Sequence, residues 1–339
     1  MMTIDVFNHI VTPRYNEARK KIAPQMHLQD QERVMPALFD LDARFRAMDS
    51  AGEGYVQILT AANPPVESIG GPSDALELSR IANDEMAELV SRHPDRFIAA
   101  AACIPMNDVD AAILELERTA GRLGFRGVQI YTDCRGVPLD DGRFGPLFDR
   151  VAALDIPVLL HPVRGPDRPD YPTEDSSRFD AWRAIGWLYD TVSAMARLTF
   201  SGLFDRHPHI KIVTHHLGGF APYAAGRLNE GYDKLLKAAR ARNEPVPLKK
   251  HPFEYFHQFY ADTITIGSVP ALRCGVDFFG VDRVMFATDM PFDTAGGLHY
   301  IKVALEAMEA LDASPADKAK IFELNARRIF GINGVGGHF

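Results

Sequence analysis

Eight short runs of β-branched and apolar residues recur along the chain, each followed by a stretch with helical spacing. This alternation constrains the fold more than any other feature. The runs are Thr3 to Phe7, Tyr55 to Thr60, Phe97 to Cys103, Gly127 to Tyr131, Pro157 to His161, Ile210 to Thr214, Phe259 to Asp262 and Val284 to Thr288. Several are apolar on both faces, the mark of parallel strands buried between helices and a core. Between them, Gln31 to Ala51 places Leu38, Leu41, Phe45 and Met48 at three- and four-residue steps, and Ser73 to Arg92 does the same through Leu78, Ile81, Ala82, Met86 and Leu89. The last helix is punctuated by Ser314 as N-cap, Pro315 at its first position, Asp317 in its first turn and Gly331 just past its end. Eight strand-helix units predict an α/β fold closed into a (β/α)8 TIM barrel. An open doubly wound sheet is the alternative, but no GxGxxG or Walker glycine pattern follows the first strand.

A barrel of this kind accommodates all 339 residues as one domain over 1–339, with long loops expected at about 10–30, 162–176 and 237–257. With 46% hydrophobic and 24% charged residues, a large core is available and a folded chain is expected. The net charge of −8, with no dense basic run beyond Arg327-Arg328, argues against nucleic acid as a partner. Cys103, Cys134 and Cys274 form neither a CxxC pair nor a disulfide framework. The opening Met1-Met2-Thr3-Ile4-Asp5 runs straight into a strand without basic or apolar leader regions, and no apolar stretch reaches membrane-spanning length. A cytoplasmic protein with no membrane partner is expected.

The strand ends carry the chemistry. His9 follows the first strand, His161 ends the fifth before Pro162, and Asp289 ends the eighth within Ala287-Thr288-Asp289-Met290-Pro291. One strand-end His is more often a packed residue bonded to backbone, but barrel strands all end on one face, so these three converge. Two imidazoles and a carboxylate form the mixed donor set of a catalytic zinc site with an open position. The sixth strand ends in Thr214-His215-His216-Leu217-Gly218-Gly219. Strand alternation puts Ile212, Thr214 and His216 on one face and Val213 and His215 on the other. Lys211 and Val213 suit the sheet-helix boundary, so His216 is expected to face the site as a proton-handling group, and His215 to be structural. Arg227, Arg33, Arg164 and Tyr131 are candidates to hold a substrate, because guanidinium groups recognise carboxylates through two parallel bonds. Trp182 and Trp187 serve equally as an aromatic wall or as helix packing.

These segments, together with Ala37-Leu38-Phe39-Asp40, Gly226-Arg227, Tyr260-Ala261-Asp262-Thr263 and Asn325-Ala326-Arg327-Arg328-Ile329-Phe330, give the chain a resemblance across nearly its whole length. It resembles the amidohydrolase-related family that contains aminocarboxymuconate semialdehyde decarboxylase and γ-resorcylate decarboxylase. The resemblance implies metal ligands at His9, His161 and Asp289, a catalytic His at His216, and a carboxylate-binding Arg at Arg227, which in the semialdehyde decarboxylase reaches across a dimer. A second such Arg falls one position from Arg33. The chain departs from the family at Phe7-Asn8-His9, where most members begin His-x-His, so the first ligand is missing.

The expected function is non-oxidative decarboxylation, by a carbon-carbon lyase, of a hydroxylated aromatic, heteroaromatic or muconate-like carboxylic acid in aromatic catabolism. One divalent metal, zinc, is the expected cofactor, and a homodimer or higher homo-oligomer the expected assembly. His216 and Asp289 are the catalytic candidates, since carbanion charge must be held while an acid delivers a proton to carbon. Two alternatives stand beside this: a hydrolase or hydratase of a lactone or unsaturated acid, and a non-catalytic barrel subunit that has lost its metal.

Overall fold

The computed structural model describes residues 2–26 and 34–332. The eight expected runs form one parallel sheet of β1 (Thr3–Ile10), β2 (Tyr55–Ala61), β3 (Phe97–Cys103), β4 (Gly127–Tyr131), β5 (Val158–His161), β6 (Ile212–Thr214), β7 (Tyr260–Asp262) and β8 (Val284–Met285), in chain order. Backbone bonds between its two edges close the barrel. Val6 N–H donates to the Phe286 carbonyl at 3.0 Å, Asp289 N–H to that of Phe7 at 3.1 Å, and His9 N–H to that of Met290 at 2.9 Å.

The eighth strand is shorter than its apolar run predicts, because side chains take over its ladder. Ala287 N–H donates to Thr263 Oγ1 at 3.0 Å, and Thr288 N–H to Asp5 Oδ1 at 3.2 Å. This exchange fixes the residues that lead into Asp289.

The helices around the sheet are α1 (Pro13–Ile22), α2 (Leu41–Asp49), α3 (Pro72–Arg92), α4 (Val109–Arg122), α5 (Gly145–Leu154), α6 (Trp187–Phe200), α7 (Ala225–Ala241), α8 (Val269–Phe279), α9 (Leu298–Ala310) and α10 (Asn325–Phe330), with shorter turns between. The helix expected over 31–51 starts late. Residues 31–33 lie outside the described residues, Pro36–Leu38 is a single tight turn, and α2 begins only where Asp40 caps it by accepting from Ala43 N–H at 2.7 Å. The three long connections also differ from one another. The first holds α1, the third holds the end of α7 and a short helix at Pro252–Phe256, and the second runs irregularly from Pro162 toward α6.

Two apolar layers result. The outer one lies between sheet and helices; the inner one fills the barrel with Ile4, Val6, Phe7, Val56, Ile58, Ala99, Ala101, Leu159, Val213, Met285 and Ala287. Val6 and Phe7 both point inward because the β1–β2 register slips between Asp5 and Asn8. A bulge of this kind re-aims the residues that follow it, here His9. Ala326, Ile329 and Phe330 of α10 join the inner layer from the amino-terminal end, where Gly127 leaves room for the Phe330 ring.

That end carries stability and the opposite end chemistry. Phe330→Ala is therefore expected to lower unfolding free energy by about 3 kcal/mol while leaving kcat unchanged. Denaturant titration beside steady-state kinetics checks this, and a loss below about 1 kcal/mol contradicts the plug.

Candidate active site

Four strands deliver His9, His161, His215, His216 and Asp289 to the carboxyl end of the barrel, and buried polar groups hold each in place. The end of β1 is gripped by Arg44, a fully buried residue of α2. Its guanidinium donates to the His9 carbonyl at 2.7 Å, Asn8 Oδ1 at 2.5 Å and Gln57 Oε1 at 2.9 Å. Asp5 ties β1 to β8: its carboxylate accepts from Phe7 N–H and Thr288 N–H, both at 3.2 Å, and from the hydroxyls of Thr288 at 2.6 Å and Tyr55 at 2.5 Å. Burial pushes the Asp5 carboxyl up to about 6, although these bonds pull it down.

Asp262, at the end of β7, does the same for β6. One oxygen accepts from His215 Nδ1–H at 2.7 Å and His216 N–H at 3.1 Å; the other accepts from Leu217 N–H at 2.8 Å and Ile264 N–H at 3.0 Å. The turn it holds is a demanding one. His216 and Leu217 both have left-handed backbone, with φ of 52° and 53°, and Gly219 passes so near the Leu188 carbonyl oxygen that a Cβ would sit 2.3 Å from it.

Strand alternation is therefore opposite to the sequence-based expectation. Val213 packs in the barrel interior and Ile212 in the outer layer, so His215 continues the inward face. His216 reaches the cavity by a different route, because the chain leaves the strand at Thr214 and turns sharply. Both histidines consequently belong to the site.

The hydrogen bonds fix which ring nitrogens carry protons. His161 Nδ1–H donates to the Pro162 carbonyl at 2.6 Å and His215 Nδ1–H to Asp262, and His9 Nδ1 lies 3.2 Å from Thr60 Oγ1. The Thr60 hydroxyl spends its own proton on the Asn8 carbonyl, so it accepts from His9. Each ring thus turns an Nε2 lone pair inward. One ring nitrogen from each of the three lies within 4.8 Å of the others. Asp289 Oδ1 is 3.2 Å from His9 Nε2 and 3.3 Å from His215 Nε2, while its Oδ2 is 3.6 Å from His216 Nε2.

These distances fit a metal better than protons. An imidazole donating to a carboxylate closes to about 2.7–2.9 Å. Two ligands of one tetrahedral zinc, each about 2.0–2.1 Å from the ion, stand roughly 3.3–3.4 Å apart. Among the described residues, His9 Nε2 and His215 Nε2 are buried without any hydrogen-bond partner, and Nδ1 bonds of this kind are what orient metal-binding histidines. The residues present therefore suit a divalent cation.

Protonation follows the same geometry. Burial lowers His9, and burial with the charge of His215 lowers His161 and His216. Burial also opposes charge on His215, but Asp262 and Asp289 outweigh it and raise the ring to about 9. Asp289 stays well below the usual carboxylate range despite its burial, because the surrounding imidazoles favour its charge.

A cavity of about 1570 Å³ opens above the cluster, with His216, Asp289, Trp187, Phe292, Tyr300 and Arg164 among its lining. Trp187 stacks on His216 at 5.7 Å between ring centres and meets His161 edge-on at 5.5 Å, its Nε1–H donating to the Arg164 carbonyl at 2.8 Å. The other substrate candidates are scattered. Tyr131 is buried beneath the site against His161, accepting a bond from Gln129 at 2.8 Å. Arg227 is exposed on α7 and is not among the residues lining the cavity. Arg33 lies outside the described residues. Sequence reasoning missed Arg44 and Asp262 as organisers and set His215 aside. The signal for His215 was available in the doubled His at a strand end.

A family model described as amidohydrolase matches residues 4–332, and the chain belongs to this family. Gamma-resorcylate decarboxylase of Rhizobium radiobacter is 33% identical over 300 residues, covering 86% of this chain and 88% of that protein. 2-Amino-3-carboxymuconate-6-semialdehyde decarboxylase of Dictyostelium discoideum is 33% identical over 257 residues, 75% of this chain and 67% of that one. The crystal structure of dihydroxybenzoic acid decarboxylase from Polaromonas sp. JS666, with bound manganese and the inhibitor 2-nitroresorcinol, superposes with a TM-score of 0.77 at 30% identity over 98% of each chain. The chain is accordingly an enzyme, a carbon-carbon lyase, and the reading as a non-catalytic barrel falls away.

The four bonds on Asp262 set up a direct test. Asp262→Asn offers one acceptor oxygen where two are used, leaving buried donors unmet, and is expected to cost roughly 2–4 kcal/mol in urea unfolding. A variant within about 0.5 kcal/mol of wild type contradicts the role given to this carboxylate.

Proposed function

We propose that the enzyme decarboxylates, without oxidation, an aromatic acid bearing a hydroxyl beside its carboxylate. The observation that carries this reading is the meeting of His9, His161, His215, His216 and Asp289 under a cavity walled by Trp187, Phe292 and Tyr300. A flat ring fits between aromatic faces, and charged and titratable groups wait at its polar edge. The decarboxylase relatives support the same reading.

His9, His161 and Asp289 would hold one divalent ion, and zinc suits that mixed donor set. When bound, the ion supplies a positive charge that stabilises oxygen anions on the substrate. His216 faces the cavity and is placed to exchange a proton with the substrate. It takes the proton of the ortho hydroxyl and returns it to the carbon that bears the carboxylate. That carbon then releases carbon dioxide, and the electron pair of the broken bond restores the aromatic ring. The phenolate product regains a proton from water, so one proton is consumed and one carbon dioxide formed for each substrate. Trp187, stacked on His216, keeps that ring from turning away from the cavity.

Arg164 lines the cavity, its Nε buried and without a hydrogen-bond partner among the described residues, which supports a role in receiving an acidic group. Arg227 is turned outward on its own chain, which suits a role in a partner's cavity across a homodimer. The exposed Tyr223 and Ile266 at the cavity rim give such a partner an apolar surface to cover.

The reading is tested by screening carbon dioxide release over hydroxybenzoates and picolinates, before and after chelation. Release is expected from an ortho-hydroxylated acid, to stop on metal removal and to return on adding zinc. His216→Ala should lower kcat by about a hundred- to ten-thousandfold with the fold intact. Arg227→Lys keeps the charge but loses the planar fork, so KM for the acid should rise. A protein that hydrolyses lactones or hydrates unsaturated acids, and releases no carbon dioxide from any acid, contradicts the proposal.

A further inference from the structure

Two residues before His9, the first strand carries Phe7, which has no donor atom. We infer that His215 is a ligand of the metal centre and supplies from β6 the donor that β1 lacks at position 7. The inference rests on the metal reading above and adds to it a residue that sequence alternation had turned away from the site.

Position comes first. His215 continues the inward face of β6 and is fully buried. Its Nδ1 is engaged by Asp262 at 2.7 Å, so Nε2 carries the lone pair. That nitrogen has no hydrogen-bond partner among the described residues, and it lies as near Asp289 Oδ1, at 3.3 Å, as the nitrogen of His9, at 3.2 Å. His9 and His215 thus stand almost symmetrically about one carboxylate oxygen, with the ligand nitrogen of His161 close to both.

Phe7 shows why the donor has moved. Its ring centre lies 4.0 Å from that of His215, but 5.8 Å from His9 and 5.9 Å from His161. The corner next to β1 is therefore filled with hydrocarbon, which packs against the His215 imidazole and holds it toward the centre. His216 differs on each count. It is partly exposed, lines the cavity, stacks on Trp187 and stands 3.6 Å from the other oxygen of Asp289. The doubled His divides the labour, His215 toward the metal and His216 toward the substrate.

The resulting set is three neutral imidazoles and one carboxylate. A nitrogen-rich set of this kind favours zinc over manganese, which is better served by oxygen donors. The inference therefore extends to metal choice.

The test compares purified full-length wild type, His215→Asn, His216→Asn and the double variant Phe7→His/His215→Asn. Asn carries its amide nitrogen where His carries Nδ1, so the bond to Asp262 survives while the Nε2 donor is lost; circular dichroism confirms folding. Zinc affinity is measured by competition with a chromophoric chelator, and ligand number from the visible spectrum of the cobalt-substituted protein. His215→Asn is expected to weaken zinc binding by about a hundredfold and to alter the cobalt bands, and His216→Asn to change affinity by less than about threefold. The Phe7→His double variant should regain part of the loss. Wild type that binds no metal removes the metal reading itself. Wild type that binds zinc, beside a His215→Asn variant of equal affinity and unchanged spectrum, leaves that reading standing and overturns the inference.

Discussion

Three imidazole lone pairs and a carboxylate are forced toward one point at the buried floor of the cavity, and most of what surrounds that point exists to hold them there. Without a cation such a meeting is unfavourable, because lone pairs and negative charge crowd together where burial weakens screening. The fold meets this strain with rigidity. Asp5 fastens Thr288 beside Phe7, Asp262 accepts four bonds beneath the His215–His216 turn, and Arg44 grips the backbone at His9. Each of these groups is fully buried and each is hydrogen-bonded more than once. Their own burial is costly, and it is offset only because nearly every lone pair and N–H finds a partner.

The barrel itself needs less explanation. Inward residues of the sheet form an apolar layer closed at one end by Phe330 and its helix, with the histidine cluster at the other end. The left-handed turn after β6 is one place where local backbone preference gives way to the site, and Asp289, with φ of 62°, is another. Two non-glycine residues in that conformation are tolerated because Asp262 and the close pass of Gly219 against Leu188 fix the chain around them.

Much of this was legible in the sequence, and the misses have physical causes. The eight strands stood out because buried parallel strands are apolar throughout. That same property hid which face of β6 points inward. Ile212 and Val213 are equally apolar, so alternation could be read in either parity, and His215 was assigned to the wrong one. His9, His161 and Asp289 were legible because a strand end fixes position without regard to parity. Arg44 looks like one of many surface arginines in an amphipathic helix until the fold brings it against β1. Asp262 meets His215 across 47 residues of sequence, a pairing that no local pattern announces. The eighth strand read as longer than its ladder because apolar spacing does not reveal where Thr263 and Asp5 replace backbone partners.

The central claim is that this constellation breaks a carbon-carbon bond and delivers a proton to the carbon left behind. Its most direct test is a turnover of an ortho-hydroxylated benzoate in heavy water labelled also with oxygen-18, with the product followed by mass spectrometry. The account predicts one carbon-bound deuterium at the former carboxyl position, one carbon dioxide for each product molecule, and no oxygen-18 attached to the product ring. Oxygen-18 in the organic product, with its carboxylate retained, would mean that the site activates water instead and would contradict the account.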